Sequence, residues 1–313
     1  MSQSGFTPKP SHVPDDLVYD FDFYNFPGGM DDVHLALKRV QDAAPDIFWT
    51  PRNGGHWVVT RAEDLEHLGK DPSKWSCRRT ILPRDDTTAP SIPVESDPPE
   101  HTDYRAPLNQ ALIKIDALEA GVRELTISLI EDIASRGECE FVKDFAKVMP
   151  MCLFLDMVKL PREDRHMLIP LVEKFLKGGT VEARQEAQQA FFGYLLKVVR
   201  ERRANPGDDL ASLIVNCKVQ GQRIDEQKAL AYMALALNGG LDTIAATLSY
   251  VFKFLAENSG HMAQVRDNVH DEVWLGKAIE EFLRRFGVAS NSKLVVHDIE
   301  YKGIKFKENE SIY

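Results

Sequence analysis

The sequence predicts a mainly α-helical protein with a small β portion, and three observations support this fold class. Apolar residues recur with the period of a helix between residues 100 and 286, a hairpin pattern lies near residue 50, and two strand-like pieces follow residue 290. The chain has 313 residues, which is enough for a sizeable core. No repeat or low-complexity tract divides it, so we expect residues 1–313 to form a single domain.

Composition and charge exclude several classes of function. The chain is 43% hydrophobic and 27% charged, as is usual for a globular protein, and its net charge of −10 argues against a nucleic-acid partner. Its four cysteines are scattered and form no CxxC pair, which favours a reducing compartment. The first residues contain no apolar run that would make a signal peptide. We therefore expect a cytoplasmic protein.

The first hundred residues predict short elements separated by loops. Turn residues Asn53-Gly54-Gly55 lie between two β-rich runs, which predicts a hairpin. Five prolines without periodicity predict a long loop over 76–99, and such loops are often functional. In chain order we predict an extended segment over 1–30, a helix over Asp31–Ala43, the hairpin over 46–61, a helix over Ala62–Leu68 and the loop over 76–99.

The rest of the chain predicts a series of helices closed by strands. The helical pattern is found over 100–111, 116–136, 144–157, 162–176, 181–203, 208–217, 225–257 and 272–286. Strand patterns follow over 293–298 and 301–308.

The segment 225–257 predicts a single helix about 50 Å long at 1.5 Å per residue. Asp225 can cap its N-terminus, and Gly260 lies just past its expected end. Apolar residues occur on every face, so we expect the helix to be buried all round. Its length would also suit a membrane span. The segment is solitary and carries Asp242 near its middle, so we expect no membrane.

The middle of this helix contains residues that a buried helix disfavours. Gly239 and Gly240 each cost about 1 kcal/mol relative to Ala, and a buried Asp242 carboxylate would need a partner. One interpretation is close helix packing around the glycines with a satisfied core aspartate. The other is a groove, in which a ligand lies against the bare backbone beside Asp242 and Thr243. That arrangement suits proton delivery to a small molecule.

Two further pairs lie one turn apart on predicted helices. Glu281 and Arg284 in "AIEEFLRRF" can form either an exposed ion pair or a partly buried clamp. His101 and Arg105 in "DPPEHTDYRAPLNQ" lie four residues apart. They either line a solvated helix face or together hold an anionic group such as a carboxylate.

In this order and at these separations, the motifs resemble the cytochrome P450 family over essentially the whole chain. The resemblance is strongest to its bacterial camphor-hydroxylase branch. The segments that carry it are "DPPEHTDYRAPLNQ", "GDDLASLIVN", "GGLDT" and "EEFLRRFGVAS". It implies a cytochrome P450-like fold and a haem cofactor, iron protoporphyrin IX.

The resemblance also implies roles for these residues. Gly239, Gly240 and Thr243 would belong to the oxygen-binding groove, with Thr243 hydrogen-bonded to dioxygen and Asp242 delivering protons. Glu281 and Arg284 would form the family's buried structural ion pair. The haem propionates would be held by His101, Arg105 and Lys293.

The same resemblance places a substrate pocket on the proline-rich loop, the long helix and the segment after the ExxR motif. The matching residues are Ile81, Ile92, Val94, Leu235, Asn238, Val288 and Ala289. Most are aliphatic, which predicts a compact apolar substrate such as a terpenoid. The loop has Ala89 and Ser91 but no tyrosine, so camphor itself is disfavoured. Asn238 either hydrogen-bonds a substrate oxygen or bonds a neighbouring backbone group.

The implied function is a haem-thiolate monooxygenase that uses dioxygen and a ferredoxin-type electron donor. The family's iron ligand is a cysteine in a Gly-rich loop downstream of the ExxR helix. All four cysteines here precede the long helix, so we expect no metal ligand within this sequence and place the ligating cysteine beyond Tyr313. The alternatives are a truncated, catalytically incompetent fragment, a non-catalytic apolar-ligand binder, and an all-α interaction protein with coincidental motifs.

Overall fold

The computed structural model describes residues 5–86, 90–112 and 118–313, apart from the side chains of residues 176 and 177. Within these ranges the chain divides into two compact units. The first comprises residues up to Thr102 together with Ser290–Tyr313, and the second comprises Asp103–Ala289. The first unit holds the larger β-sheet, and the second is almost entirely helical.

The elements follow the predicted order. The helices are α1 Val33–Ala43, α2 Ala62–Gly69, α3 Glu100–Leu112, α4 Glu119–Arg136, α5 Val148–Met157, α6 Arg165–Lys177, α7 Val181–Ala204, α8 Leu210–Val215, α9 Glu226–Glu257, α10 Ser259–Asp267 and α11 Glu272–Arg285. The strands are β1 Ile47–Thr50, β2 His56–Val59, β3 Trp75–Ser76, β4 Lys218–Val219, β5 Gln222–Arg223, β6 Lys293–Val295, β7 Ile299–Tyr301, β8 Ile304–Phe306 and β9 Ser311–Ile312. The mainly α class with a small β portion is confirmed. Residues 116 and 117 of the predicted fourth helix lie outside the described ranges.

The sheet of the first unit has the strand order β1-β2-β9-β6-β3. The predicted hairpin is confirmed, with Ile47 opposite Val59 and positive φ angles at all three residues of the Asn53-Gly54-Gly55 turn. Strand β9 pairs in parallel with β2 and antiparallel with β6. Chain segments more than 200 residues apart in the sequence therefore share one sheet.

Aromatic side chains fill the core beneath this sheet. Phe306 lies edge-on to Trp57, with ring centroids 5.0 Å apart, and to Trp75 at 5.8 Å. All three are almost fully buried, so the C-terminal residues complete the core that the first hundred residues begin.

The predicted single strand over 301–308 is wrong. The segment is part of a hairpin between β7 and β8, with Tyr301 paired to Ile304. Lys302 and Gly303 both have positive φ, 51° and 78°, and make the tight turn. The Lys-Gly pair was a turn signal that the strand prediction overlooked.

Helix α9 is the centre of the second unit and packs against α5, α7 and α8. It begins where predicted, since the Asp225 carboxylate accepts a hydrogen bond from the backbone N–H of Lys228 at 2.7 Å. It ends at Glu257, which confirms the predicted end, and α10 follows after the single residue Asn258. Gly260 lies just past that end as expected, but it belongs to α10, a helix that was not predicted.

Burial divides α9 lengthwise, so the expectation that it is buried all round is wrong. One side is buried in the helical unit and includes Ala229, Met233, Leu237, Leu241 and Ala245. The other side is exposed at Gly239, Asp242, Thr243, Tyr250 and Lys253. By length and composition alone α9 could cross a membrane, but the core helix of a soluble protein meets the same criterion. Helix α9 is therefore an apolar helix with one open side.

Candidate functional site

The two glycines of α9 lie on its open side. A Cβ atom built on Gly239 or Gly240 meets no described atom within 4 Å. Close packing of another helix would place atoms there, so the structure does not support that interpretation. The bare backbone is instead accessible to a ligand.

Thr243 lies one turn beyond Gly239. Its hydroxyl donates a hydrogen bond to the Gly239 carbonyl at 2.6 Å, and the side chain is exposed. Ser249 makes the same bond to Ala245, also at 2.6 Å, so this geometry alone does not indicate function. The oxygen of Thr243 still has free acceptor capacity beside the glycines.

Asp242 is exposed, which corrects the expectation of a buried carboxylate. It makes no ion pair or hydrogen bond with the residues that the structure describes. At about 100° per residue, Asn238, Gly239, Asp242 and Thr243 fall within about 140° of one another around the helix. A carboxylate, a hydroxyl and an amide therefore share one side of α9 with the open glycines.

Asn238 lies at the edge of this open side. Its side-chain oxygen Oδ1 is buried and accepts no hydrogen bond. One expectation was that Asn238 bonds a neighbouring backbone group, and Oδ1 makes no such bond. Buried polar atoms without a partner are uncommon, and each one needs an explanation.

Helix α3 carries the two predicted cations His101 and Arg105. The His101 ring is half-buried, the Arg105 guanidinium is exposed, and neither forms an ion pair or hydrogen bond with the described residues. Arg105 is close enough to Tyr232 to act on its hydroxyl: burial raises the pKa of Tyr232, and the positive charge of Arg105 opposes that rise. A guanidinium without a carboxylate partner suits an anionic ligand, to which an imidazole N–H can also donate.

The predicted pair Glu281–Arg284 forms, but it is not buried. Arg284 donates from Nε and Nη2 to the two carboxylate oxygens of Glu281, each at 2.7 Å. The side chains are 66% and 62% exposed. The hydrogen bond from Arg284 lowers the pKa of Glu281. The expected burial is not found in this chain, where helix α11 contains no buried residue.

Lys293 is engaged within the first unit. It lies on β6 opposite Ile312, and its Nζ donates to the carbonyl of Gly69 at 3.2 Å. That carbonyl belongs to the last residue of α2, where a cation is favourable. Its assignment to a haem propionate stays a prediction.

The predicted pocket residues are distributed over both units. In the first, Ile81 and Val94 are exposed and Ile92 is buried; in the second, Leu235 is half-buried while Val288 and Ala289 are exposed. Ala89 lies outside the described ranges. The grouping of these residues into one pocket stays a prediction.

Two of the four cysteines lie in settings that disfavour a thiolate ligand. Cys77 is half-buried, Cys139 is exposed, and Cys152 and Cys217 are buried. Burial raises the pKa of Cys152 and raises that of Cys217 to about 11, so the neutral thiol is favoured in both. The described residues contain no cluster of three or more His, Cys, Asp or Glu side chains that could hold a metal ion.

The structure also has a cavity that the sequence did not indicate. It lies in the first unit, has a volume of about 540 Å³, and is lined by α2 and β7. His67 stacks on Tyr301 in its wall, with ring centroids 4.6 Å apart. Because the sequence predicted a single strand over 301–308, the hairpin that forms this wall was missed.

The profile of the cytochrome P450 family matches residues 32–309. The chain belongs to the cytochrome P450 family. The family resemblance and the fold predicted from the motifs are thus confirmed, and members of this family bind haem, iron protoporphyrin IX.

Two individual P450 relatives illustrate the similarity. Probable cytochrome P450 127A1 from Sinorhizobium fredii is 31% identical, over 97% of this chain and 76% of its own length. The crystal structure of cytochrome P450 CYP101C1 has a TM-score of 0.85 and 31% identity, over 97% of this chain and 77% of that one.

Other P450 relatives are matched over a smaller share of their length. Steroid C26-monooxygenase from Mycolicibacterium smegmatis is 29% identical over 86% of this chain and 68% of its own length. For cytochrome P450 109 from Bacillus spizizenii the chain spans 64% of the relative.

Proposed function

We propose that this chain carries the oxygen-side half of a haem monooxygenase that hydroxylates a small apolar substrate. One observation supports this most: the open stretch of α9, where nothing described packs on Gly239 and Gly240 and where Asp242 and Thr243 are free to act. A core helix with no ligand would gain stability from alanine at both glycines.

Within the second unit, Arg105 on α3 and the glycines of α9 fit haem. Haem is a flat apolar ring with two carboxylates, and the Arg105 guanidinium is a cation without a carboxylate partner among the described residues. The glycines of α9 leave room for a molecule beside the helix. Haem, when bound, supplies the activation of dioxygen, from which one atom enters a C–H bond and the other leaves as water.

The reaction consumes two protons and two electrons, and the chain's own residues supply the proton path. The exposed Asp242 carboxylate exchanges protons with water and carries them to the open side of α9. The Thr243 hydroxyl can accept a hydrogen bond while it donates to Gly239. To donate to a bound molecule instead, its O–H must turn away from that carbonyl by rotation about the Cβ–Oγ1 bond.

The substrate class follows from the same proposal. The pocket residues inferred from the family are mostly aliphatic, which favours a compact terpenoid-like molecule. A relative named Steroid C26-monooxygenase is consistent with an apolar substrate. Electrons would come from a ferredoxin-type donor in the cytoplasm.

The two buried cysteines favour a second candidate, a chain that is not catalytically competent by itself. Because Cys152 and Cys217 are buried with raised pKa values, neither presents a ready thiolate. We infer that the 313-residue chain by itself is catalytically incompetent, although it can still bind apolar molecules. The test is to add haem to this chain, reduce the iron and then add carbon monoxide. The absorption spectrum should show no strong band at about 450 nm. Such a band would contradict the inference.

Isotope incorporation tests the monooxygenase itself. Labelled dioxygen, given with a ferredoxin and its reductase to the full-length, haem-loaded enzyme of which this chain is the oxygen-side half, should place one labelled atom in a terpenoid product. Asp242→Asn should slow the reaction, since amide cannot relay protons. Product without label, or no product from any apolar substrate, would count against the proposed function.

A further inference from the structure

Glu95 is a buried carboxylate in the proline-rich loop, and the proposed proton path does not use it. Its Oε1 accepts hydrogen bonds from the backbone N–H of Thr80 at 3.0 Å and from the Thr80 hydroxyl at 3.3 Å. Its Oε2 accepts from the backbone N–H of Ser91 at 2.8 Å. Among the described residues it forms no ion pair. Buried charges are usually paired, so a carboxylate held by neutral donors alone needs an explanation.

The Glu95 carboxylate joins three segments of the first unit. Thr80 lies early in the loop and Ser91 lies late in it, so the two bonds tie the loop to itself. The carbonyl of Thr80 also accepts from the backbone N–H of Ser292 at 2.9 Å, and the Ser292 hydroxyl donates to the carbonyl of Arg79 at 3.2 Å. Ser292 is fully buried. Through Thr80, the carboxylate therefore also fixes the loop to the segment that leads into β6.

The pocket residues predicted in this loop are the sequence neighbours of residues in this network. The neighbouring pairs are Ile81 with Thr80, Ile92 with Ser91, and Val94 with Glu95. Ile81 and Val94 are exposed, so the network does not serve to bury them. It fixes the backbone beside them, and a fixed backbone presents these apolar side chains to a ligand in one arrangement.

We propose that Glu95 is a positioning residue for substrate selection, which does not touch the substrate but fixes the loop that shapes the pocket. The inference rests on the proposed function, because it concerns the pocket of that same site. A carboxylate suits this task because both of its oxygens accept hydrogen bonds. A glutamine would turn its own N–H group towards one of the backbone N–H donors, so one of the two ties would be lost.

Mirror-image terpenoids test this selection without turnover. The two enantiomers of limonene, of α-pinene or of carvone are equally apolar, so a difference in affinity reports only the shape of the pocket. Calorimetric titration of the full-length, haem-loaded enzyme should show a preference for one enantiomer in at least one of these pairs. In Glu95→Gln that preference should fall by at least about threefold, or to none, because a loosened loop accommodates both enantiomers.

Ser96→Ala is the matched control. The Ser96 hydroxyl is buried in the same loop and donates to the carbonyl of Pro93 at 2.6 Å, a bond that joins only near neighbours. Both variants lose a buried hydrogen bond and should lower the Tm, but only Glu95→Gln should change the enantiomer preference. Thr80→Val removes the hydroxyl donor and keeps both backbone ties. Its preference should fall by a smaller factor, and it replaces Glu95→Gln if that variant does not load haem.

Hydrogen exchange without ligand gives an independent readout. At least one of the amides of Thr80 and Ser91 should exchange about tenfold faster in Glu95→Gln, measured on peptides over 78–82 and 90–96. Unchanged exchange would overturn the inference.

The binding measurements can overturn it as well. No discrimination within any pair by the unchanged enzyme, an unchanged preference in both Glu95→Gln and Thr80→Val, or an equal loss of preference in Ser96→Ala would each do so. Loss of discrimination in Glu95→Gln of an enzyme that incorporates no labelled oxygen would support the inference and would count only against the monooxygenase activity.

Discussion

His56 lies on β2 opposite Thr50, and only 1% of it is exposed. Neither ring nitrogen makes a hydrogen bond of ordinary geometry. Burial lowers the pKa of His56 to about 4, although the Arg52 backbone opposes the shift. A neutral imidazole is therefore built into the core of the first unit, and its protonation is linked to folding.

The sign of this linkage gives a prediction. Between pH 6.5 and about 4 the unfolded chain binds a proton at His56 and the folded chain does not. The unfolding free energy should therefore keep its full value above pH 6.5 and fall by up to about 3 kcal/mol as the pH drops towards 4. Denaturant unfolding at several pH values measures it.

The variant His56→Leu should flatten this pH dependence, because the titrating group is gone. His270 is exposed, and the variant His270→Leu is the control. It should leave the pH dependence of the unfolding free energy unchanged. An identical slope in His56→Leu would show that other groups cause the acid sensitivity.

A second residue-scale prediction concerns Thr243. In the full-length enzyme, Thr243→Ala should leave haem binding in place but reduce product formed per electron by about tenfold or more, with peroxide released instead, because the hydroxyl no longer directs a proton. Ser249→Ala loses the same kind of helical hydrogen bond about two turns away. Its yield of product per electron should equal that of the unchanged enzyme. Product yield and peroxide are measured together. Equal coupling in both variants would reject the role.

At the scale of single elements, the open glycines of α9 allow a direct test. Gly239→Ala places a methyl group where no described atom lies, so the helix should gain about 1 kcal/mol of stability. Gly193→Ala in α7 also meets open space and should gain a similar amount. In the full-length enzyme, only Gly239→Ala should impair product formation. Destabilisation by Gly239→Ala would instead indicate that another part of the molecule packs there.

Helix starts were predictable where a side chain caps them. Asp32 and Asp225 both accept hydrogen bonds from backbone N–H groups of the first turn, and helices begin after both. The end of α9 at residue 257 was also predicted, but the helix α10 that follows it was not. Only Asn258 separates the two helices, and its side-chain Nδ2 donates to the carbonyl of Phe254 at 2.9 Å.

The candidate site was predictable in part for a related reason. Spacing along a helix fixes which residues are neighbours, so the Glu281–Arg284 pair and the shared side of Asp242 and Thr243 followed from the sequence. Spacing along a helix does not determine which other elements of the fold pack on that side of the helix. The exposure of the pair and of Asp242 depends on which elements pack there, and apolar periodicity does not contain that information.

At the scale of the whole molecule, burial is distributed unevenly among the helices. In α8, a helix of six residues, all but Leu213 are buried. In α11, fourteen residues long, none is buried, and Val273 and Ile279 are 70% and 48% exposed. The longer of these two helices is therefore the less buried one.

This contrast gives the last prediction. If intrinsic propensity governed local stability, the long α11 should resist opening better than the short α8, since helices of few residues are marginal alone. If burial governs it, opening of α11 breaks few contacts and its amides should exchange at least about tenfold faster than those of α8. Hydrogen exchange read by mass spectrometry on peptides over 210–215 and 272–285 decides between them. We expect burial to govern, and slower exchange in α11 than in α8 would mean that its apolar side is covered in solution.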